Sequence, residues 1–347
     1  MTSIHTERRV SLSEIEALAR DVLLARGVSF AQADAVARNV TAAEADECRS
    51  HGVYRLIGYV RAVVSGKADG RAVPSMTQVS PAIIRVDAGR GFAPLANEIA
   101  RPALVAAAQS LGIAVLAINN CYHNSAMWVD LEPLADAGLV SIGMTAGQCT
   151  VAPHGGSKPV FGTNPFAFGW PRPDGAPFVF DFATSAAARG EIELHQRAGK
   201  SIPLGWAVDA EGRPTTDPAV GLAGAMLPFG GHKGTALALM IELLAGPMIG
   251  DLTSQESFAE DEGMGSPPLG GELIIAFDPV RFLGDDFAGH MARAETLFSS
   301  ISGQDGVRLP GDRRLEARAQ SVQNGVLVPA RLLEELELLR AGGGGRG

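Results

Sequence analysis

The chain has 347 residues, 46% of them hydrophobic and 19% charged, with 42 glycines, which describes a compact α/β protein with a large core rather than a disordered or fibrous one. Its formal net charge is −9 and its basic residues are dispersed, which excludes electrostatic attraction to nucleic acid. An anionic ligand must therefore be held by local groups acting against the overall field. Residues 1–9 lack the apolar stretch of about 7 to 15 residues of a secretory signal, and no window approaches the roughly 20 apolar residues of a membrane span. Cys48, Cys121 and Cys149 have neither Cys-x-x-Cys nor zinc-finger spacing. A reduced cytosolic protein with no metal site is expected, with Cys121 and Cys149 as small buried residues.

In chain order, Ser11 and Glu14 have capping-box spacing ahead of a helical face formed by Leu12, Ile15, Leu18, Val22 and Leu23, and Gly27 closes the helix. Ser29 and Gln32 repeat the signal for a second helix to about Ala45. A third is predicted over 94–110, bent by Pro102. The period then changes. Segments 112–119 and 139–145 are short apolar, β-branched runs separated by a helical stretch, as in strands buried within a sheet, and 178–182 and 272–277 repeat the pattern. Helices are predicted over 184–198, 232–244 and 329–340, and 342–347 reads as a flexible tail. With no repeat and no Pro/Ser-rich linker, two domains would have to be interleaved.

The Gly-x-Gly-x-x-Gly fingerprint that lets a backbone approach a pyrophosphate is absent, and so is the P-loop motif. Gly89-Arg90-Gly91 lacks the third glycine. One glycine-rich helix start remains, Phe229-Gly230-Gly231-His232-Lys233-Gly234-Thr235. Its free backbone N–H groups, lysine and imidazole suit a phosphate, and a tight turn with a solvated lysine explains it equally well.

Six segments together resemble the type 2 malate/L-lactate dehydrogenase family, also called sulfolactate-dehydrogenase-like. They are Ser50-His51-Gly52-Val53-Tyr54-Arg55, Asn119-Asn120-Cys121-Tyr122-His123, Phe161-Gly162-Thr163-Asn164-Pro165, Phe180-Asp181-Phe182-Ala183-Thr184-Ser185, Ile202-Pro203-Leu204-Gly205-Trp206-Ala207 and Gly230-Gly231-His232-Lys233-Gly234. Their order and spacing carry the resemblance, from about residue 10 to 335. It implies an α/β, non-Rossmann nicotinamide-binding fold with a mixed, largely antiparallel sheet, interleaved with a helical substrate and dimerisation region. On that basis 1–118 together with 285–341 would bind substrate and dimerise, and 119–284 would bind NAD(P)H. Homodimers sharing their active sites are implied too.

Within the family, Trp128 and Arg189-Gly190-Glu191-Ile192-Glu193-Leu194-His195 look like the branch that reduces the cyclic imines Δ1-piperideine-2-carboxylate and Δ1-pyrroline-2-carboxylate to L-pipecolate and L-proline. Hydroxy-acid dehydrogenases of the family often carry lysine where Glu191 stands. A carboxylate favours a protonated imine, which is a cation, over a neutral ketone. The chain departs from the family at His123-Asn124-Ser125-Ala126-Met127-Trp128, where His-Phe-Gly-Ala-Ala-Gly-Tyr is frequent.

Imine or carbonyl reduction needs a hydride on one face and a proton for the heteroatom, and a histidine suits the second task. His51 is the candidate donor, with Ser50 to orient it and Glu191 to complete the network. Arg55, four residues on, would share a helical face with His51 and fork a substrate carboxylate; alone, it reads as a surface ion-pair partner. The resemblance adds Thr163, Arg189 and Gly190 as substrate contacts. It places the cofactor on His123, Asn124, Ser125, Ala126, Met127, Asp181, Phe182, Ala183, His232, Lys233, Arg308, Arg313 and Arg314, whose cations suit NADPH better than NADH. His154 and His195 are expected to be structural. Two rivals stand beside this reading: a dehydrogenase of open-chain 2-hydroxy acids such as malate, lactate or ureidoglycolate, and a nicotinamide-nucleotide-binding protein without catalysis. Glu191 disfavours the first; His51 and Arg55, which simple nucleotide binding does not need, disfavour the second.

Overall fold

The computed structural model describes residues 7–342. The chain starts with β1 (Glu7–Val10), α1 (Leu12–Leu24), α2 (Phe30–Ala45) and α3 (Leu56–Val64). Ser11 caps α1 with the full capping box, and Ser29 caps α2 through the Gln32 N–H, as their spacing predicts. The hairpin β2 (Ser75–Ser80) and β3 (Ile83–Asp87) leads through α4 (Ala93–Leu111) to β4 (Ile113–Tyr122), α5 (Met127–Asp136) and β5 (Val140–Thr145). Next come β6 (Phe166–Trp170), β7 (Phe178–Phe182) and α6 (Arg189–Arg197). A small unit of β8 (Ala207–Val208), β9 (Pro214–Thr215), α7 (Pro218–Ala223) and β10 (Ala225–Met226) precedes α8 (His232–Ala245), α9 (Ser254–Asp261) and β11 (Leu269–Phe277). The chain closes with α10 (Pro279–Leu283), α11 (Phe287–Ser302), α12 (Asp312–Asn324), β12 (Val326–Pro329) and α13 (Ala330–Arg340).

Seven strands form the main sheet in the order β2-β3-β4-β11-β5-β6-β7, joining residues on both sides of position 118. Only β3 and β4 run parallel, so the expected mixed, largely antiparallel sheet is present. Side-chain alternation gives each face its own core. Leu116, Ile118, Ile274 and Ala276 join Leu104 of α4 and Leu131 of α5 on one face, while Ala117 and Leu273 meet Ile241 and Ala245 of α8 on the other. A second core joins α1, α2, α3 and α13 around Ile15, Val36, Tyr59 and Leu336.

The expected helix over 184–198 begins only at Arg189. Thr184 is tied into an extended segment by its N–H and hydroxyl, which both donate to the Thr163 carbonyl, and Ser185 bridges to Pro228. The β2–β3 hairpin, β6, α11 and α12 were not legible as elements. The 342–347 tail falls, from 343 on, outside the described residues. Among the described residues no single helix is long and apolar enough to cross a membrane.

The sheet centre contains charge. His123, Asp130 and Glu272 are all buried, with one ligand-type atom of each lying within 4.8 Å of the others. Both Glu272 carboxylate oxygens and Asp130 Oδ2 lack a hydrogen-bond partner. Burial first, and then the Glu272 charge, hold the Asp130 carboxyl well above the usual carboxylate range. The folded state therefore binds a proton that the unfolded chain releases near pH 3.9, and stability falls as pH rises from there through the folded value. Asp130→Asn removes that loss. Its Tm should exceed the wild-type value by a margin that widens between pH 4 and pH 8; parallel curves in a thermal-melt series would contradict the assignment.

Candidate active site

Seven arginines and four carboxylates line a cavity of about 900 Å³, in a chain whose net charge is −9. The arginines are Arg49, Arg55, Arg61, Arg189, Arg197, Arg313 and Arg314, against Glu47, Asp181, Glu191 and Glu193. The positive surplus is local and suits an anionic ligand. Widely separated segments supply it, so only Arg55, Arg189, Arg313 and Arg314 were found from motifs. Arg49, Arg61 and Arg197 carry no sequence signal beyond their type, and Tyr54, though within the first of the six segments, has no role assigned from sequence.

Ser50, His51 and Arg55 lie just after α2, on two successive 3-10 turns, Arg49–His51 and Val53–Arg55, separated by extended Gly52. The single helical face expected for His51 and Arg55 is thus interrupted. The cause is Glu44: its buried carboxylate accepts the Val53 N–H at 2.8 Å and fills the space a Cβ at Gly52 would need. Burial pushes the Glu44 carboxyl up to about 7. Both side chains still reach the cavity.

Ser50 Oγ lies 3.1 Å from His51 Nδ1. Burial, then the Arg55 charge, then His123 push the His51 imidazole down to about 3, so the ring is neutral. Arg55 makes no ion pair among the described residues, and its buried Nε has no partner, which removes the surface ion-pair reading. Gly190 explains the room beside it: a Cβ there would sit 2.6 Å from Arg55 Nη2.

Glu191 lines the cavity from the first turn of α6, and its carboxylate is 3.6 Å from His195 Nδ1, which also lies 2.9 Å from the Glu191 carbonyl. Arg189 pairs with Glu193 at 3.3 Å, and Glu193 accepts the Tyr54 hydroxyl at 2.9 Å. Thr163, His123, Asn124, Ser125, Asp181, Phe182, Ala183, Arg313 and Arg314 also line the cavity. Arg314 is already engaged, donating to Asp181 at 3.0 Å and stacking 4.5 Å over Trp128. Burial raises the Asp181 carboxyl to about 6 against the pull of Arg314.

Other candidates lie elsewhere. Ala126 and Met127 are buried in the core at the start of α5. His232, Lys233 and Arg308 are exposed and outside the cavity lining. At the glycine-rich helix start Gly230 and Gly231 have positive φ, and a Cβ on Gly234 would come 2.1 Å from the Phe229 carbonyl, so the glycines meet a turn's steric needs. His154 is exposed, Cys121 is buried and Cys149 is only partly buried.

The cavity lies within the roughly 300 to 1,000 Å³ range of cofactor and ligand sites. Among its lining residues are Ser266, whose buried hydroxyl has no partner among the described residues, and Arg55, whose Nε has none. This donor set fits a nicotinamide nucleotide together with a small carboxylate. Gly190→Ala would displace the Arg55 guanidinium without disturbing the core. The KM of a carboxylate substrate should rise by roughly tenfold, given the 1.5 to 3 kcal/mol of a charge-assisted bond, with Tm nearly unchanged. An unchanged KM would show that another residue receives the carboxylate.

The sequence profile of the malate/L-lactate dehydrogenase family matches residues 10–337. The chain is 59% identical over 331 residues to the Δ1-pyrroline-2-carboxylate reductase of Ancylobacter novellus, covering 95% of this chain and 97% of that protein. It is 56% identical over 328 residues to the Δ1-pyrroline-2-carboxylate/Δ1-piperideine-2-carboxylate reductase of Pseudomonas aeruginosa, covering 94% and 98%. Among solved structures, Δ1-piperideine-2-carboxylate reductase from Pseudomonas syringae superposes with a TM-score of 0.89 at 42% identity, over 96% of this chain and 99% of that one. With the profile spanning nearly the whole chain and the fold shared, this protein belongs to the malate/L-lactate dehydrogenase family.

Proposed function

We propose that the protein reduces the cyclic imines Δ1-pyrroline-2-carboxylate and Δ1-piperideine-2-carboxylate to L-proline and L-pipecolate, using a nicotinamide cofactor, with NADPH preferred. The observation that carries this reading is a neutral His51 beside an unpartnered Arg55 in an arginine-rich cavity. A cyclic imine carries its own proton near neutral pH. It therefore needs a neutral hydrogen-bond acceptor, whereas a ketone needs a proton donor. Identities of 56% and 59% to reductases of these imines support the same substrate class.

In this mechanism Arg55 forks the substrate carboxylate and fixes the prochiral carbon. With the Nδ1 hydrogen directed to Ser50, His51 Nε2 accepts the iminium N–H, and the Glu191 carboxylate favours the cationic substrate. Thr163 and the Arg189–Gly190 turn complete the substrate pocket. Bound cofactor supplies the hydride; Asn124, Ser125 and the Asp181–Ala183 strand end would hold its nicotinamide half, and Arg313 would meet its phosphates. His123 borders both. The C=N electron pair becomes the nitrogen lone pair, so the hydride step needs no proton from the protein.

The same reading makes the protein a cytoplasmic homodimer, divided into a substrate and dimerisation region (1–118 with 285–341) and a cofactor region (119–284). Arg308, His232 and Lys233 would meet cofactor only where it extends beyond the cavity.

Purified protein assayed with both imines, open-chain 2-oxo acids and both cofactors should turn over the imines fastest, with NADPH ahead of NADH. A higher kcat/KM on a 2-oxo acid would assign the site to the hydroxy-acid dehydrogenases. His51→Ala should cost about tenfold in kcat on the imine, the worth of one hydrogen bond, and less on any 2-oxo acid turned over, because a neutral ring with its hydrogen directed to Ser50 has no proton to give a carbonyl oxygen. Equal penalties on the two substrates would refute the acceptor role.

A further inference from the structure

Trp128 separates His51 from the carboxy-terminal helices. Its indole is buried, forms part of the cavity wall and meets the His51 ring edge-on, with centroids 6.0 Å apart and planes at 76°. Behind it, Trp128 Nε1 donates to Asp46 Oδ2 at 2.7 Å. Asp46 is only 1% exposed, at the end of α2, and a buried carboxylate needs more than one indole donor. Arg318 of α12 supplies the rest. Its Nε donates to Asp46 Oδ1 and its Nη2 to Asp46 Oδ2, both at 2.7 Å, and it also donates to both oxygens of Glu132, at 3.0 and 2.8 Å.

The geometry favours a clamp. Trp128 and Glu132 are four residues apart on α5, and Arg314 and Arg318 four apart on α12, so each pair shares a face of its helix. Arg314 covers the indole ring while Arg318 holds the carboxylate that receives its N–H. Arg318 does not line the cavity. A planar guanidinium forked onto a carboxylate tolerates little rotation, so the indole plane is set from outside the site.

We propose that Arg318 and Asp46 are positioning residues for the reaction, fixing through Trp128 the orientation in which His51 meets the substrate. This rests on the reading that His51 stands at the reacting centre, and it adds to that reading a chain of contacts from α12 to the imidazole.

The test uses Arg318→Met, Arg318→Lys and, as a control, Arg172→Met. Arg172 makes a comparable forked pair with Glu295 and stacks on Phe298, and none of these three residues lines the cavity or bonds to Trp128, Asp46 or Arg318. Arg318→Met should lower kcat on Δ1-pyrroline-2-carboxylate by roughly 10- to 100-fold, as expected when a reacting group is misplaced by about 1 Å, with KM within twofold because Arg55 is untouched. Arg318→Lys, which keeps the charge and loses the fork, should fall between. Arg172→Met should cost Tm and leave kcat unchanged.

In protein labelled with 13C at histidine Cε1, and with the resonance assigned by His51→Ala, the His51 signal should move in Arg318→Met and stay in Arg172→Met. That measurement needs no substrate, so it is readable even if the imines are not turned over. If Arg318→Met fails to fold, Asp46→Asn carries the same two measurements. An unmoved His51 signal, an unchanged kcat, or an equal kcat loss in Arg172→Met at matched Tm would each overturn the proposal.

Discussion

The antiparallel pairing of β4 with β11 is the constraint on which the rest of the molecule depends. Along it Ile118 faces Glu272 and Tyr122 faces Leu269, with an irregularity between Gly270 and Glu272. The pairing continues past the strand end, where the His123 N–H donates to the Pro268 carbonyl. The turn that carries His123 into the cavity is thus held by the most central ladder of the sheet. A slip of one residue would exchange the two faces of β4, moving Leu116 and Ile118 away from α4 and α5 and taking His123 out of the cavity.

That ladder also explains where the molecule stores unfavourable charge. Glu272 enters the sheet centre with neither oxygen satisfied, beside Asp130 and His123. Well-packed hydrophobic residues would be more stable there, so the cluster weakens the fold next to the cavity. The cavity has the opposite character. Arginines outnumber carboxylates on its wall, and although Arg49 and Arg197 pair with Glu7 and Glu335 from outside the lining, the local balance favours an anion. Arg314, spent on Asp181 and Trp128, belongs to the wall, whereas Arg55, with an unpartnered Nε, is poised for a ligand.

A neutral imidazole in such a site has a chemical consequence. On the proposed reading, a histidine whose charge is suppressed by burial and a neighbouring cation suits a substrate that brings its own proton better than one that must be given it. Here burial and Arg55 act in the same direction on His51. On that reading, the group that would bind the carboxylate thereby also tunes the group that would meet the reacting nitrogen.

The sequence by itself determined what depends on short-range chemistry. The caps at Ser11 and Ser29, the two helices they open, and the buried runs of β4, β5 and β11 all follow from periodicity and capping, whereas β7, also expected as a buried strand, forms the sheet edge with only Val179 buried. The ordered motifs identified the family and part of the cavity wall: Ser50, His51, Arg55, Asp181 and Glu191 all reach it. Tertiary structure decided what depends on partners distant in sequence. It delayed the start of the expected helix to Arg189, because Thr184 bonds to Thr163 instead of opening a helical ladder. It gathered Arg49, Arg61 and Arg197 around a cavity no single segment encodes, and it joined Arg318 to Asp46 across 272 residues. A hydrogen bond over that separation leaves no periodic trace in sequence, because its geometry exists only after the sheet and helices have packed.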